Sequence, residues 1–350
     1  MLFDLHPKES RKDLFGRDAE LGLLEESVRL KEQLIIIYGV RRVGKTSLLH
    51  VFLNEKKIPY ILLDVRDAYF ESGYVSLPVI CERVIGEFQA FTDKLGLGRI
   101  EFGADAYESL TKTLRAIDEW CKDKKTHFVM AFDEAQYLRL GGKTRYDGVI
   151  AWSLDNLPNI TYVLTGSEVG MLKDFLRYDD VKAPLYGRFK SEISVNRFDH
   201  AKSMEFLREG FREQGVEVED EELQGAIGKI DGIAGWLTYY GHYRGVKRLA
   251  YGKAIDKVYA EGSEIVMAEI GGLLSKSRRR YLYLLKAIAE GIDSWANIKR
   301  YVVAGSGTIS DTRFTVLLES LVKFGFVEKE GMSYKITDPV TAYSVRRMKP

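Results

Sequence analysis

Two short stretches carry residue types at a spacing that can do chemistry. Gly39-Val40-Arg41-Arg42-Val43-Gly44-Lys45-Thr46 is a full G-x-x-x-x-G-K-[ST] pattern, and Ser47 follows it. Its glycines let successive backbone N–H groups turn inward around a phosphate, and the positive end of a following helix adds to the attraction. Lys45 then reaches the β- and γ-phosphates of a nucleotide, and the Thr46 hydroxyl holds Mg²⁺. About ninety residues downstream, the apolar run His127 to Phe132 ends in Asp133-Glu134. The adjacent acids divide the work: Asp133 positions the water shell of the metal, and Glu134 polarises the attacking water. A phosphate-binding turn alone is compatible with binding; the second carboxylate makes hydrolysis the expected chemistry.

Three further places offer a functional and a structural reading each. Ser167, with Thr165 behind it, either senses the γ-phosphate or belongs to a Gly-Ser turn that caps the next helix. Arg188, in the loop before a strand, is either an arginine finger working on a neighbouring subunit's nucleotide or the partner of a local carboxylate. Gly16-Arg17 is either a lid over the adenine base or a turn at a helix start. The expected ligands are ATP and Mg²⁺. Gly16, Arg17 and residues 39–47 hold the nucleotide, Thr46 and Asp133 hold the metal, and Lys45, Glu134, Ser167 and Arg188 act in catalysis.

The surrounding pattern supplies elements to position them. Leu34-Ile35-Ile36-Ile37-Tyr38 reads as a buried parallel strand, and Ser47-Leu48-Leu49 opens a helix. Further strands follow at Tyr60 to Val65, His127 to Phe132, Thr161 to Thr165 and Glu192 to Val195. Between residues 73 and 120 the chain is mostly helical, with a break at Gly96-Leu97-Gly98. Strands alternating with helices from 34 to 195 predict a parallel sheet covered on both faces, with ligand at the carboxyl ends of the strands. From 199 to 270 no strand-like run occurs; a Gly-rich break at Asp231-Gly232-Ile233-Ala234-Gly235-Trp236-Leu237 interrupts a small helical lid. Helices at Arg278 to Ala289, from Ser294 and from Ser310, then a hairpin around Glu330-Gly331, predict a winged helix-turn-helix.

At 350 residues the chain exceeds one ordinary core. Three domains are expected: a nucleotide-binding α/β domain at 1–198, the lid at 199–272 and the winged helix at 273–350. Its two cysteines, Cys81 and Cys121, form no spaced cluster, so no zinc site or disulfide framework is indicated and a reducing cytoplasm is expected. No apolar run approaches the roughly 18 to 20 residues that span a bilayer, and the charged N-terminus lacks a secretory apolar region. The net charge of +1 hides an asymmetry, since fourteen basic residues face seven acidic ones from 273 onward. That excess favours a duplex DNA surface. The third helix carries few basic residues, so docking to a protein partner, or self-association, stays open.

Phe15-Gly16-Arg17, Asp133-Glu134-Ala135-Gln136, Gly166-Ser167, Pro184-Leu185-Tyr186-Gly187-Arg188 and Tyr334-Lys335-Ile336-Thr337-Asp338-Pro339 resemble the archaeal ATPase family. These are P-loop proteins allied to AAA+ and STAND ATPases. The resemblance implies an ASCE-type P-loop NTPase sheet in which the Asp133 strand is not adjacent to the P-loop strand, followed by a helical lid and a C-terminal winged helix. The resemblance bears on the chemistry more than on the purpose, and two readings stand: an ATPase that couples ATP hydrolysis to lid and winged-helix motion and acts on DNA, or a STAND-type switch that uses ATP/ADP exchange to control protein assembly. Family lids usually carry Gly-Gly-x-Pro; here Asp231 and Ala234 replace the first Gly and the Pro.

Overall fold

The run of three isoleucines sets the centre of the sheet. In the computed structural model, which describes residues 1–56, 58–94, 96, 100–274 and 277–349, β1 (Leu34–Tyr38) is buried along its whole length. Helix α1 (Asp18–Arg29) precedes it and α2 (Lys45–Glu55) follows the Gly-rich turn. Then come β2 (Tyr60–Asp64), α3 (Val65–Ser72), α4 (Leu77–Lys94), α5 (Leu110–Asp123) and β3 (Phe128–Asp133). Next are α6 (Tyr146–Asn156), β4 (Ile160–Gly166), α7 (Val169–Leu176) and β5 (Ser191–Ser194). Of the expected helix break, Leu97 and Gly98 lie outside the described residues.

The five strands are parallel and run in the order β2-β3-β4-β1-β5. β4 therefore separates β3 from β1, as the family resemblance implies, and β5 takes the edge beside β1. The register pairs Tyr38 with Gly166 and Asp64 with Asp133, so the carboxyl ends line up. One face of the sheet, with Ile36, Met130, Phe132, Tyr162 and Leu164, packs into a core with Val84 and Phe88 of α4 and Ile117 and Trp120 of α5. On the other face Ile35, Ile37 and Val163 are equally inaccessible to water. Strands buried on both sides must be apolar throughout, hence the near-continuous runs. Each such Ile or Leu contributes roughly 1.5–3 kcal/mol by leaving water.

The chain divides into two compact units: one holds residues 8–39 and 45–195, the other residues 1–7, 40–44 and 196–350. The second contains α8 (His200–Glu213), α9 (Asp220–Ile230), α10 (Ala234–Gly241), a short π-turn at His242–Val246 and the long α11 (Tyr251–Leu274). α12 (Arg278–Ala289), α13 (Trp295–Ser306), α14 (Asp311–Lys323), the antiparallel β6 (Val327–Glu330) and β7 (Ser333–Ile336), and α15 (Pro339–Arg347) complete it. Three helices and the hairpin form the expected winged helix. The terminal α15 lies beyond the sequence expectation; Asp338 caps it through its side chain and Pro339 opens its first turn. Lid and winged helix share this unit: Trp236 Nε1 donates to Asp338 at 3.1 Å, and Ser344 Oγ donates to Ser263 Oγ at 2.9 Å. The N-terminal segment belongs here too, its Phe3 ring occupying space that a Cβ at Gly210 or Gly241 would fill. No helix among the described residues is long and apolar enough to cross a membrane.

Candidate nucleotide site

In the sheet unit, the polar residues singled out above gather at the carboxyl ends of β1, β3 and β4. Lys45 is only 5% exposed, and its Nζ donates to the Gly39 carbonyl at 2.8 Å. Thr46 Oγ1 donates to Asp133 Oδ2 at 2.8 Å, so the two expected metal ligands, one on α2 and one on β3, already touch. Thr165 Oγ1 donates to the other oxygen of Asp133 and accepts the Glu134 N–H at 3.2 Å. Gly44 sits at φ +100°, where an L side chain is strained. Ser47 Oγ accepts the Lys8 N–H at 3.0 Å.

Glu134 departs from ordinary backbone geometry, with φ +53° and ψ +44°. A left-handed non-glycine residue is uncommon and costs of order 1 kcal/mol or more; such strain concentrates at functional sites. Its Oε2 accepts three hydrogen bonds: Gln136 Nε2 at 2.5 Å, Ser167 Oγ at 2.7 Å and the Ser167 N–H at 3.3 Å. Ser167 thus meets Glu134 directly, and Thr165 meets Asp133. Gln136 is absent from the sequence-derived site, although it closes the Asp133-Glu134-Ala135-Gln136 motif two residues past Glu134.

Electrostatics separate the adjacent acids. Burial and the Glu134 charge push the Asp133 carboxyl above its usual range, against the pull of the Thr165 and Thr46 hydroxyls. For Glu134 burial acts in the same upward direction, but Lys45, Ser167, Gln136 and Arg66 together outweigh it and hold the carboxyl low. Neighbouring carboxylates driven apart in this way suit different tasks. Glu134 stays ionised, as a proton acceptor must, while Asp133 in its dry pocket is short of positive charge. Two hard oxygen ligands, the buried Asp133 carboxylate and the half-buried Thr46 hydroxyl, fit a Mg²⁺ ion.

The remaining expected residues are less concentrated. Gly16 turns the chain at φ +63° into α1, and the buried Arg17 pairs with Glu20 at 2.9 Å. Arg188 forks onto Asp155, with Nη2 to Oδ2 at 2.8 Å, while its Nε donates to the Pro184 carbonyl at 3.0 Å. That is the local carboxylate of the structural alternative. In the C-terminal unit, Arg42 Nη2 meets Glu269 Oε1 at 2.6 Å and its guanidinium lies 4.4 Å over the Trp236 ring. Arg41 donates to the Phe324 carbonyl at 2.6 Å and lies 4.6 Å over Phe326. The side chains of these loop arginines therefore serve lid and winged helix. The Gly235 N–H donates to the Arg42 carbonyl at 2.8 Å, and a Cβ at Gly235 would lie 2.8 Å from Arg42 Cβ. Val43 is fully buried.

Residues 14–239 match the family model of an ATPase domain predominantly from Archaea. A solved structure of the Walker-type ATPase of Pyrococcus abyssi is 37% identical, with a TM-score of 0.89 over 99% of this chain and 100% of that one. The chain belongs to the archaeal ATPase family. Residues 275–337 of this archaeal ATPase also match the model of the C-terminal winged helix-turn-helix domain of MCM proteins. The ORC2 protein of Aeropyrum pernix, solved in ADPNP–ADP complexes, shares the fold at 14% identity, with a TM-score of 0.64 over 98% of this chain and 96% of that one. No curated protein matches the sequence.

Proposed function

We propose that the chain is a Mg²⁺-dependent ATPase whose nucleotide state is passed to the lid and winged helix, and that the winged helix engages duplex DNA. The observation that carries the hydrolytic part is the convergence of Lys45, Thr46, Asp133 and an ionised, three-times hydrogen-bonded Glu134 at one end of the sheet. The backbone N–H groups of residues 39–46 and the Lys45 ammonium take the phosphates of ATP, and Lys45 exchanges its bond to Gly39 for them. Thr46 and Asp133 are the residues that would hold Mg²⁺, whose charge would offset the phosphate oxygens. Glu134 accepts the proton of the attacking water. Ser167, bonded to Glu134, links the position of that base to the γ-phosphate end of the site.

Coupling to the C-terminal unit is supported by Arg41 and Arg42, which are P-loop residues by sequence and partners of Glu269, Trp236 and Phe326 by contact. DNA engagement is supported by the charge excess and by its placement. Arg278, Arg279 and Arg313 are exposed; Arg279 donates to the Gly305 carbonyl in the last turn of α13, and Arg280 to the Thr308 carbonyl in the loop leading to α14. The same arginine ties favour a second reading, a STAND-type switch in which ATP/ADP exchange controls docking to a protein partner. The two separate in one experiment: steady-state phosphate release by the full chain with Mg²⁺, with and without duplex DNA, at rising salt. Turnover altered by DNA, through binding that weakens steeply with salt by counterion release, is expected. Tight nucleotide binding with negligible turnover and no response to DNA would favour the switch.

A further inference from the structure

Gln136 is 1% exposed, and its amide is half satisfied: Nε2 donates to Glu134 Oε2, whereas Oε1 is buried with no hydrogen-bond partner. Turning the amide over would set its oxygen against a carboxylate oxygen, so the orientation with nitrogen toward Glu134 is the favourable one. The abandoned oxygen is a cost, since a buried unsatisfied acceptor is destabilising. A glutamine kept only for packing would be as well replaced by methionine. The position adds to a second cost a few atoms away, the left-handed backbone of Glu134. Both are spent on the direction of a single carboxylate. Its Oε2 is saturated by Gln136 and by the hydroxyl and N–H of Ser167, whereas Oε1 carries no hydrogen bond among the described residues. Gly166 makes room for the arrangement: a Cβ there would lie 3.0 Å from Gln136 Oε1 and 2.7 Å from Leu172.

We infer that Gln136 is a positioning residue for hydrolysis, acting with Ser167 to pin Glu134 by Oε2 so that Oε1 alone takes the water proton. This rests on the ATPase reading above. In the step, the water oxygen bonds to the γ-phosphorus as the bond to the β,γ-bridging oxygen breaks, its electron pair leaving with ADP and the proton passing to Oε1. Gln136→Met keeps the volume and removes both the donor and the orphaned acceptor. In the full chain it is expected to lower kcat about 10- to 100-fold, as loosened positioning does, with KM for ATP within about twofold and a melting temperature equal to or above wild type. Ser167→Ala should lower kcat in the same sense, and the double variant should lose less than the product of the two, because either change alone frees the carboxylate. A Gln136→Met enzyme with wild-type kcat, one whose kcat, ATP affinity and melting temperature fall together, or strictly multiplicative losses in the double variant, would each overturn the inference. Wild-type turnover is measured first; a wild-type chain that binds ATP without hydrolysing it overturns the ATPase reading itself.

Discussion

The two compact units use the same kinds of polar contact to different ends. In the sheet unit they converge: Lys45, Thr46, Asp133, Glu134, Thr165 and Ser167 meet within a few ångströms at the ends of three strands. In the C-terminal unit they stretch between elements. Arg197 bridges Asp231 of the lid turn and Glu328 of the wing, Trp236 reaches Asp338, and Arg42 reaches Glu269. Convergent contacts and burial drive two adjacent carboxylates in opposite directions, Asp133 up and Glu134 down. Spanning contacts fix the orientation of helices and turns. Under the proposed function the difference is one of task, chemistry in one unit and mechanical linkage in the other.

That contrast can be broken or sharpened by substitution. Glu134→Gln should reduce phosphate release by roughly 10²-fold or more, as loss of a general base does, with ATP binding and thermal stability retained. Wild-type turnover in this variant would remove the chemistry from the sheet unit. Glu269→Gln should do the reverse. It takes from Arg41 and Arg42 the carboxylate they share, at a cost of about 1–3 kcal/mol in denaturant unfolding, while turnover without DNA stays within about tenfold. A loss of basal turnover as deep as that of Glu134→Gln would erase the distinction.

A pH effect tests the sheet unit as a folded body, apart from its site. His127 donates or accepts a 2.7 Å bond with Thr161, and burial, with the nearby Lys31, lowers its pKa to about 4. The unfolded chain binds this proton near pH 6.5 and the folded chain only near 4. Stability is therefore full above the unfolded pKa and falls as pH drops through that window, by on the order of 2 kcal/mol at pH 5. His127→Gln should flatten the difference between pH 7 and pH 5 unfolding; an unchanged slope would contradict the assignment. The smallest effect belongs to Arg188→Ala. A half-exposed ion pair contributes about 0–1 kcal/mol, so with Asp155 as its partner turnover should stay within about tenfold. An arginine finger would instead contribute on the order of 10³ to 10⁵, and mixing Arg188→Ala with Lys45→Ala chains would then restore activity.

Much of the sheet unit was legible from local signals. Runs such as Leu34-Ile35-Ile36-Ile37-Tyr38 announce buried strands because both faces must be apolar, and the P-loop pattern fixes the turn that follows. The strand order itself came from the family resemblance, since nothing local places β4 between β1 and β3. The partners of Arg41 and Arg42 were illegible for a different reason. The pattern leaves those positions free, and Glu269 is 227 residues from Arg42. Gly232 was visible only as a helix break; in the structure a Cβ there would lie 1.8 Å from the Phe198 carbonyl oxygen, a close approach that no spacing rule reveals. The role of Gln136 depends on the direction of one amide, which the sequence does not encode by itself.

The excursion of residues 40–44 into the C-terminal unit also sets an order of assembly. A nascent chain that has emerged only as far as Val195 possesses all five strands, yet Arg41 and Arg42 still lack Trp236, Glu269, Phe324 and Phe326. Such long loop closures are slow relative to local folding, and domains mature roughly in the order they are synthesised. The turn at 40–44 is thus made well before the residues that become its neighbours. A chain at that stage holds all five strands while Arg41 and Arg42 still wait for their partners, and the proposed nucleotide chemistry waits with them.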